Sequence, residues 1–356
     1  MIGIGVIGWH IRSRHGLEGF ARNYPGAVIR AIAQDPKASP VLLEGHGGPD
    51  ELRANAGPLY CADYREILKR NDIQLISLMC EPARAPELVE EVAAAGKHIL
   101  SDKPMAGNVA DAERVVASVR RHGVQLLVGF NTRYAPPFRR AYDIVRSGEI
   151  GDLLAMHFAY YFGGKLAGFT ATPEFARNFG GGDLTIAGCY AVDFLRWLAG
   201  REVARVFART GTFFFEDYRG VMEDLGQVSL TFEGGLPATI LSGRLGAQGR
   251  VIELDITGTK GSVRACSDTD GVTVQGETMR RETYGRNPAE LMVHDFLRCL
   301  EQGKASPIPA EDGLACVRIL QAAYESARMG GAVDLARPRS RLNALTPWQE
   351  PVNGAT

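Results

Sequence analysis

Paired cysteine motifs, long apolar runs and blocks of like charge are all missing from this chain. Its six cysteines (Cys61, Cys80, Cys189, Cys266, Cys299, Cys316) lie far apart with no C-x-x-C pair. That spacing argues against a disulfide framework and for buried free thiols in a reducing, cytoplasmic compartment. No apolar stretch reaches the ~20 residues that span a bilayer, and a chain opening directly on a strand is expected to carry no cleavable leader. Lys+Arg 40 against Asp+Glu 41 leaves a net charge of -1 with no run of either sign. Neither nucleic acid nor an anionic membrane is therefore expected as a partner. No repeat or low-complexity block stands out. What remains is an ordinary globular composition, 45% hydrophobic and 23% charged over 356 residues, enough for two domains with sizeable cores.

Short apolar runs at Ile2–Ile7, Ala27–Ala33, Ile73–Leu78, His98–Leu100 and Val124–Val128 alternate with helical patterns, notably Pro86–Ala95 and Ala110–Arg121. This alternation predicts an α/β doubly wound parallel sheet over residues 1–128. After Phe130 the pattern changes to strands at Leu153–Phe162, Val206–Phe214, Gly226–Phe232, Ala238–Ser242, Val251–Thr257 and Ser262–Ala265, with glycine-rich turns between them. Helices near Ala289–Leu300 and Glu311–Met329 are expected to close an α+β domain over 129–336, built on a mainly antiparallel open sheet. Residues 337–356, with Pro338, Pro347 and Pro351, read as an arm.

Two stretches carry chemistry. Ser101-Asp102-Lys103-Pro104 plants a lysine at the mouth of a parallel strand, where open α/β sheets keep their ligand crevices. Farther on, Gly180-Gly181-Gly182 leads into a helical segment with Ile186, Tyr190 and Asp193 at i, i+4, i+7, one helix face. With Gly129-Phe130-Asn131-Thr132-Arg133-Tyr134 between them, these elements resemble the glucose-fructose oxidoreductase / inositol dehydrogenase / rhizopine catabolism (Gfo/Idh/MocA) family over about residues 1 to 335. The resemblance implies an N-terminal Rossmann domain, a nicotinamide dinucleotide, a sugar, cyclitol or related polyhydroxy substrate and a homo-oligomer, dimer or tetramer.

The chain departs from that family at its site. A literal G-x-G-x-x-G at Gly3, Gly5 and Gly8 falls inside the first strand and is spurious, because the fingerprint works only at the turn after it. Counting from Gly8, the second and third fingerprint positions fall on His10 and Ser13, with Ile11 between them as a further cofactor contact, so the phosphate loop is rebuilt. Arg12 and Arg14 either contact phosphate or are solvated. Asp35, ending the second strand, is positioned to accept the adenosine ribose hydroxyls and to repel a 2'-phosphate, which favours NAD over NADP. Glu81-Pro82 stands where the family often has Thr-Pro, so Glu81 approaches the nicotinamide ribose. His10 with His15 lacks further ligands at suitable spacing, and no metal is expected.

The resemblance places Lys103 beside the nicotinamide and the reacting carbinol, in a Glu-Lys-Pro motif shortened here to Asp102-Lys103-Pro104. The family's Asp and His are Ile186 and Tyr190 in this chain. Ile186 cannot move a proton; Tyr190 can, and an ammonium such as Lys103 nearby favours the phenolate. Asn131, Arg133 and Tyr161 are candidate substrate contacts, with Tyr160 and Lys165 beside them, and Asp193 either joins them or pairs structurally. His157 and His294 read as structural histidines.

Three readings follow: an NAD-dependent oxidoreductase using Tyr190 and Lys103; an enzyme on the same fold with no net redox step, such as a lyase, isomerase or cyclase, having lost nucleotide binding; and a non-enzymatic binding or sensor protein.

Overall fold

Short aliphatic runs become the inner strands of a parallel sheet. In the computed structural model, which describes residues 1–8, 21–37, 57–164, 171–244, 251–267, 271–274, 277–279 and 287–335, β1 (Ile2–Ile7), β2 (Ala27–Ala33), β3 (Leu75–Leu78), β4 (His98–Ser101) and β5 (Leu126–Val128) lie in the order β2-β1-β3-β4-β5. Every neighbouring pair is parallel. β3 and β5 are buried throughout, as strands covered on both faces must be. Gly3 and Gly5 pair with residues of β2, and Gly5 also with Ile76 of β3, so both are sheet interior and no part of a phosphate loop. Helix Ala85–Ala94 packs beside helix Val109–His122. Asn108 starts the latter by accepting from the Asp111 amide at 2.9 Å, and Gly123 ends it in a left-handed conformation. The order reverses between β1 and β3, the switch point outside whose carboxyl ends doubly wound sheets bind ligands.

A nine-stranded sheet follows. Its strands are β6 (Leu153–Phe162), β7 (Val203–Gly211), β8 (Leu225–Phe232), β9 (Pro237–Arg244), β10 (Val251–Gly258), β11 (Ser262–Cys266), β12 (Gly271–Val274), β13 (Glu277–Met279) and β14 (Val333–Asp334), in the order β13-β12-β11-β10-β6-β9-β8-β7-β14. All its pairs are antiparallel except β6 with β9, which makes the sheet mixed. Burial alternates along β10, so one face is core and the other is not. Phe138 of helix Pro136–Ser147, Phe158 of β6 and Phe194 of helix Cys189–Ala199 meet on the core face with ring centroids 5.4 to 5.9 Å apart. Burying each such ring contributes about 1.5–3 kcal/mol.

The chain divides into two compact units, one within residues 1–131 together with 287–314, the other within 132–279 together with 315–335. Helix Pro288–Glu301 therefore groups with the parallel sheet, where the sequence reading gave it to the second domain. Long-range contacts explain the difference. Tyr24 donates to Glu301 at 2.6 Å and stacks edge-on against His294, and the Val128 amide donates to the Ile308 carbonyl at 2.9 Å. All six cysteines are free thiols, but only Cys189 and Cys316 are buried, the other four being partly exposed. Among the described residues no helix is long and apolar enough to cross a membrane.

Candidate functional site

Sequence-predicted residues of the first unit collect where the parallel strands end. Gly8 follows β1, Asp35 follows β2, Glu81-Pro82 follows β3, Lys103 follows β4 and Asn131 follows β5. At Gly8 φ is +87° and a Cβ would overlap the Met79 carbonyl, so only glycine lets β1 and β3 finish side by side. Lys103 is 4% exposed and Glu81 is buried, and the Lys103-Pro104 peptide is cis. Asp35 is 3% exposed. Its carboxylate accepts from the Arg84 guanidinium at 3.1 and 3.2 Å and from the Lys37 amide at 3.1 Å. A buried carboxylate at the end of β2 and a buried ammonium at the end of β4 suit the ribose and nicotinamide parts of a dinucleotide laid across these ends. His10, Ile11, Arg12, Arg14 and His15 lie outside the described residues, as does Lys165.

In the second unit the triple glycine has a packing reason that the sequence did not disclose. Gly180 caps helix Pro173–Phe179 in a left-handed conformation. A Cβ on Gly181 would overlap the Tyr324 ring, and one on Gly182 would overlap the Glu223 carboxyl. The next turn, Leu184–Gly188, is π-helical, and the Gly182 carbonyl just before it accepts from both the Thr185 and Ile186 amides. Such wide turns concentrate at functional sites. The turn feeds helix Cys189–Ala199, where the Tyr190 ring stacks on buried Tyr160 with centroids 5.5 Å apart and planes 15° off parallel. Ile186 is buried.

Two substrate candidates are joined to each other. Arg133 donates through Nε and Nη2 to Asp193 at 2.8 and 2.5 Å, with both side chains at most 4% exposed. Tyr161 requires a correction. Successive strand residues point to opposite faces, so Tyr160, under Tyr190, leaves Tyr161 on the other face of β6 with Glu253 near it. His157 bonds Thr239 at 2.7 Å on that same outer face.

Four polar residues beside the π-helical turn were not singled out from the sequence. Arg244 donates to buried Asp183 at 2.6 Å. Glu223 Oε1 accepts from the Tyr324 hydroxyl at 2.7 Å and from the Leu184 amide at 2.9 Å, while Oε2 is buried without a hydrogen bond. Burial pushes the Glu223 carboxyl up to about 7. The native state thus keeps a proton that the unfolded chain releases near 4.5. Stability is expected to fall by roughly 2–3 kcal/mol as pH rises through that window. Glu223→Gln should lack this fall. Denaturant midpoints measured from about pH 5 to about pH 8 check it, and equal slopes in both proteins would assign the titration elsewhere.

Two family descriptions cover most of the chain. The oxidoreductase family with an NAD-binding Rossmann fold matches residues 2–130, and the GFO/IDH/MocA C-terminal domain matches 138–264. The chain belongs to the Gfo/Idh/MocA oxidoreductase family. Among its relatives, an uncharacterized oxidoreductase of Bacillus subtilis, YrbE, is 29% identical over 291 residues, covering 77% of this chain and 82% of its own. Myo-inositol 2-dehydrogenase of Thermotoga maritima is 25% identical over 279 residues, 74% and 80% of the two chains. The crystal structure of scyllo-inositol dehydrogenase from Lactobacillus casei, holding NAD(H) and scyllo-inositol, superposes with a TM-score of 0.77 over 95% of this Gfo/Idh/MocA chain and 100% of that one, at 22% identity. That likeness carries the fold.

Proposed function

We propose that this Gfo/Idh/MocA protein is an NAD-dependent dehydrogenase that interconverts a hydroxyl and a carbonyl on a sugar, cyclitol or related polyhydroxy compound. The observation that carries the reading is Lys103, buried at the carboxyl end of β4 in a sheet of dinucleotide-binding topology. Gly8, Asp35, Glu81, Pro82 and Lys103 would hold the dinucleotide, with His10 and Ile11 from the following loop. When bound, the nicotinamide supplies the hydride acceptor or donor. Lys103 then polarises the substrate oxygen, and Tyr190 takes the hydroxyl proton during oxidation and returns it during reduction, so that one hydride and one proton leave or enter together. Asn131 and the joined Arg133–Asp193 pair are the candidate substrate contacts. The fold is taken as a cytoplasmic homo-oligomer; the free thiols support a reducing compartment, and Phe207 and Leu241, incompletely buried on the nine-stranded sheet, support association.

Tyr190→Phe tests the proton role cleanly, because phenylalanine keeps the stack on Tyr160. Turnover is expected to drop by roughly two powers of ten or more, with nucleotide affinity and unfolding midpoint unchanged. Near-normal turnover would make Tyr190 a packing residue. Buried Ile186, standing where the family pattern has a proton-transferring carboxylate, favours a second reading, catalysis without net redox. Product formed by protein rigorously stripped of nucleotide would establish that reading and defeat the dehydrogenase.

A further inference from the structure

The end of β2 carries a chain of alternating charges. Asp35, with its side chain 2% exposed, is bonded by Arg84, whose side chain is 15% exposed. The other end of the Arg84 guanidinium, Nη1, donates to Glu87 Oε2. The second oxygen of Glu87 accepts from Lys37 Nζ at 2.7 Å. Lys37 and Glu87 are the exposed end, with side chains 60% and 43% accessible. Glu87 lies in the first turn of helix Ala85–Ala94, just after the Glu81-Pro82 turn. Its carboxyl is held below the ordinary glutamate range by the hydrogen bonds from Lys37 and Arg84.

This arrangement bears on the adenosine ribose, and the argument rests on the dinucleotide reading above. NADP differs from NAD by a 2'-phosphate of about two negative charges. At the end of β2 a carboxylate repels that group and an arginine accommodates it. This chain has both, together with a lysine. The buried Asp35 carboxylate already accepts three donors, and its charge is largely offset by Arg84. Repulsion by Asp35 is thus an incomplete barrier. The two cations that would receive a phosphate are both engaged by one exposed carboxylate.

We propose that Glu87 is the specificity-determining residue that excludes NADP, by occupying Lys37 and Arg84, the cations a 2'-phosphate requires. The residue touches no reacting atom and acts through its two partners. Removing its charge ends the ion pairs with Lys37 and with one edge of Arg84, leaving at most a neutral amide acceptor, while the Arg84 bonds to Asp35 remain. Because Glu87 is half-exposed and Arg84 keeps its bonds to Asp35, the substitution leaves no buried charge unpaired and the fold is expected to persist.

The experiment is equilibrium titration of NAD and of NADP, by calorimetry, against wild-type protein, Glu87→Gln and Glu87→Gln with Lys37→Ala. Expected for Glu87→Gln is NADP affinity at least about tenfold tighter, equivalent to about 1.4 kcal/mol, NAD affinity within about threefold of wild type, and a gain that weakens as salt rises. The Lys37→Ala substitution should remove most of that gain. NAD binding by wild type with NADP affinity unmoved in Glu87→Gln overturns the proposal and leaves the dinucleotide reading standing. A gain that survives Lys37→Ala in full also overturns it. Wild-type protein that binds neither nucleotide overturns the reading itself, and the role of Glu87 with it.

Discussion

Lys103→Met is expected to lower turnover by about two to four powers of ten in protein that stays folded, with nucleotide affinity lowered far less. Methionine matches the length of the lysine stem and packs in apolar surroundings, so the substitution removes the ammonium and its polar contacts while keeping the stem's volume. The large effect follows from burial. Lys103 is 4% exposed, and a charge aimed at an oxygen from a water-poor position is worth far more there than in solvent. A merely structural lysine would give a different pattern, with stability lost and turnover kept in the protein that remains folded. Stopped-flow absorbance at the reduced-nicotinamide band, read beside product formation, separates the outcomes. Loss of both signals together supports hydride transfer with Lys103 at the reacting oxygen. Product forming at the wild-type rate without the band would remove Lys103 from the mechanism and the mechanism from redox chemistry.

The parallel sheet was legible because its strands are continuous aliphatic runs broken by turn residues. β1, β2 and β6 begin and end where the sequence reading put them. Helix Pro136–Ser147 was missed, although its signals are local: Pro136 and Pro137 in the first turn, Phe138, Ala141 and Ile144 buried on one face, and Gly148 left-handed after the end. Tyr161 was assigned to the substrate despite the period-two rule, which already forbids Tyr160 and Tyr161 from sharing a face. Other features lay beyond local reading. The parallel pairing of β6 with β9, and the contacts of Gly181 and Gly182 with Tyr324 and Glu223, join residues far apart in sequence. The Asp35–Arg84 pair spans 49 residues. It makes the carboxylate expected at the ribose one member of a charge chain.

Arg133→Met is expected to destabilise the protein by about 3–5 kcal/mol, because it takes the guanidinium away from the Asp193 carboxylate, which is 1% exposed at its side chain. The packing loss is smaller. The Arg133 guanidinium lies 5.4 Å from the Trp197 ring, and a methionine sulfur there keeps a favourable contact. Asp193→Asn in the same chain should restore roughly half of the loss, since a buried amide without its partner costs about 1–3 kcal/mol and a stranded charge costs more. That non-additivity is the signature of a coupled pair. Urea midpoints measure it, and a single-variant cost under about 1 kcal/mol would refute the burial argument. The double variant also decides whether either residue serves the substrate. If the pair only holds the Asn131–Tyr134 turn against helix Cys189–Ala199, the folded double variant should keep its substrate KM within about threefold of wild type. A rise of tenfold or more in that well-folded protein would return Arg133 and Asp193 to the substrate, as their places in the sequence first suggested.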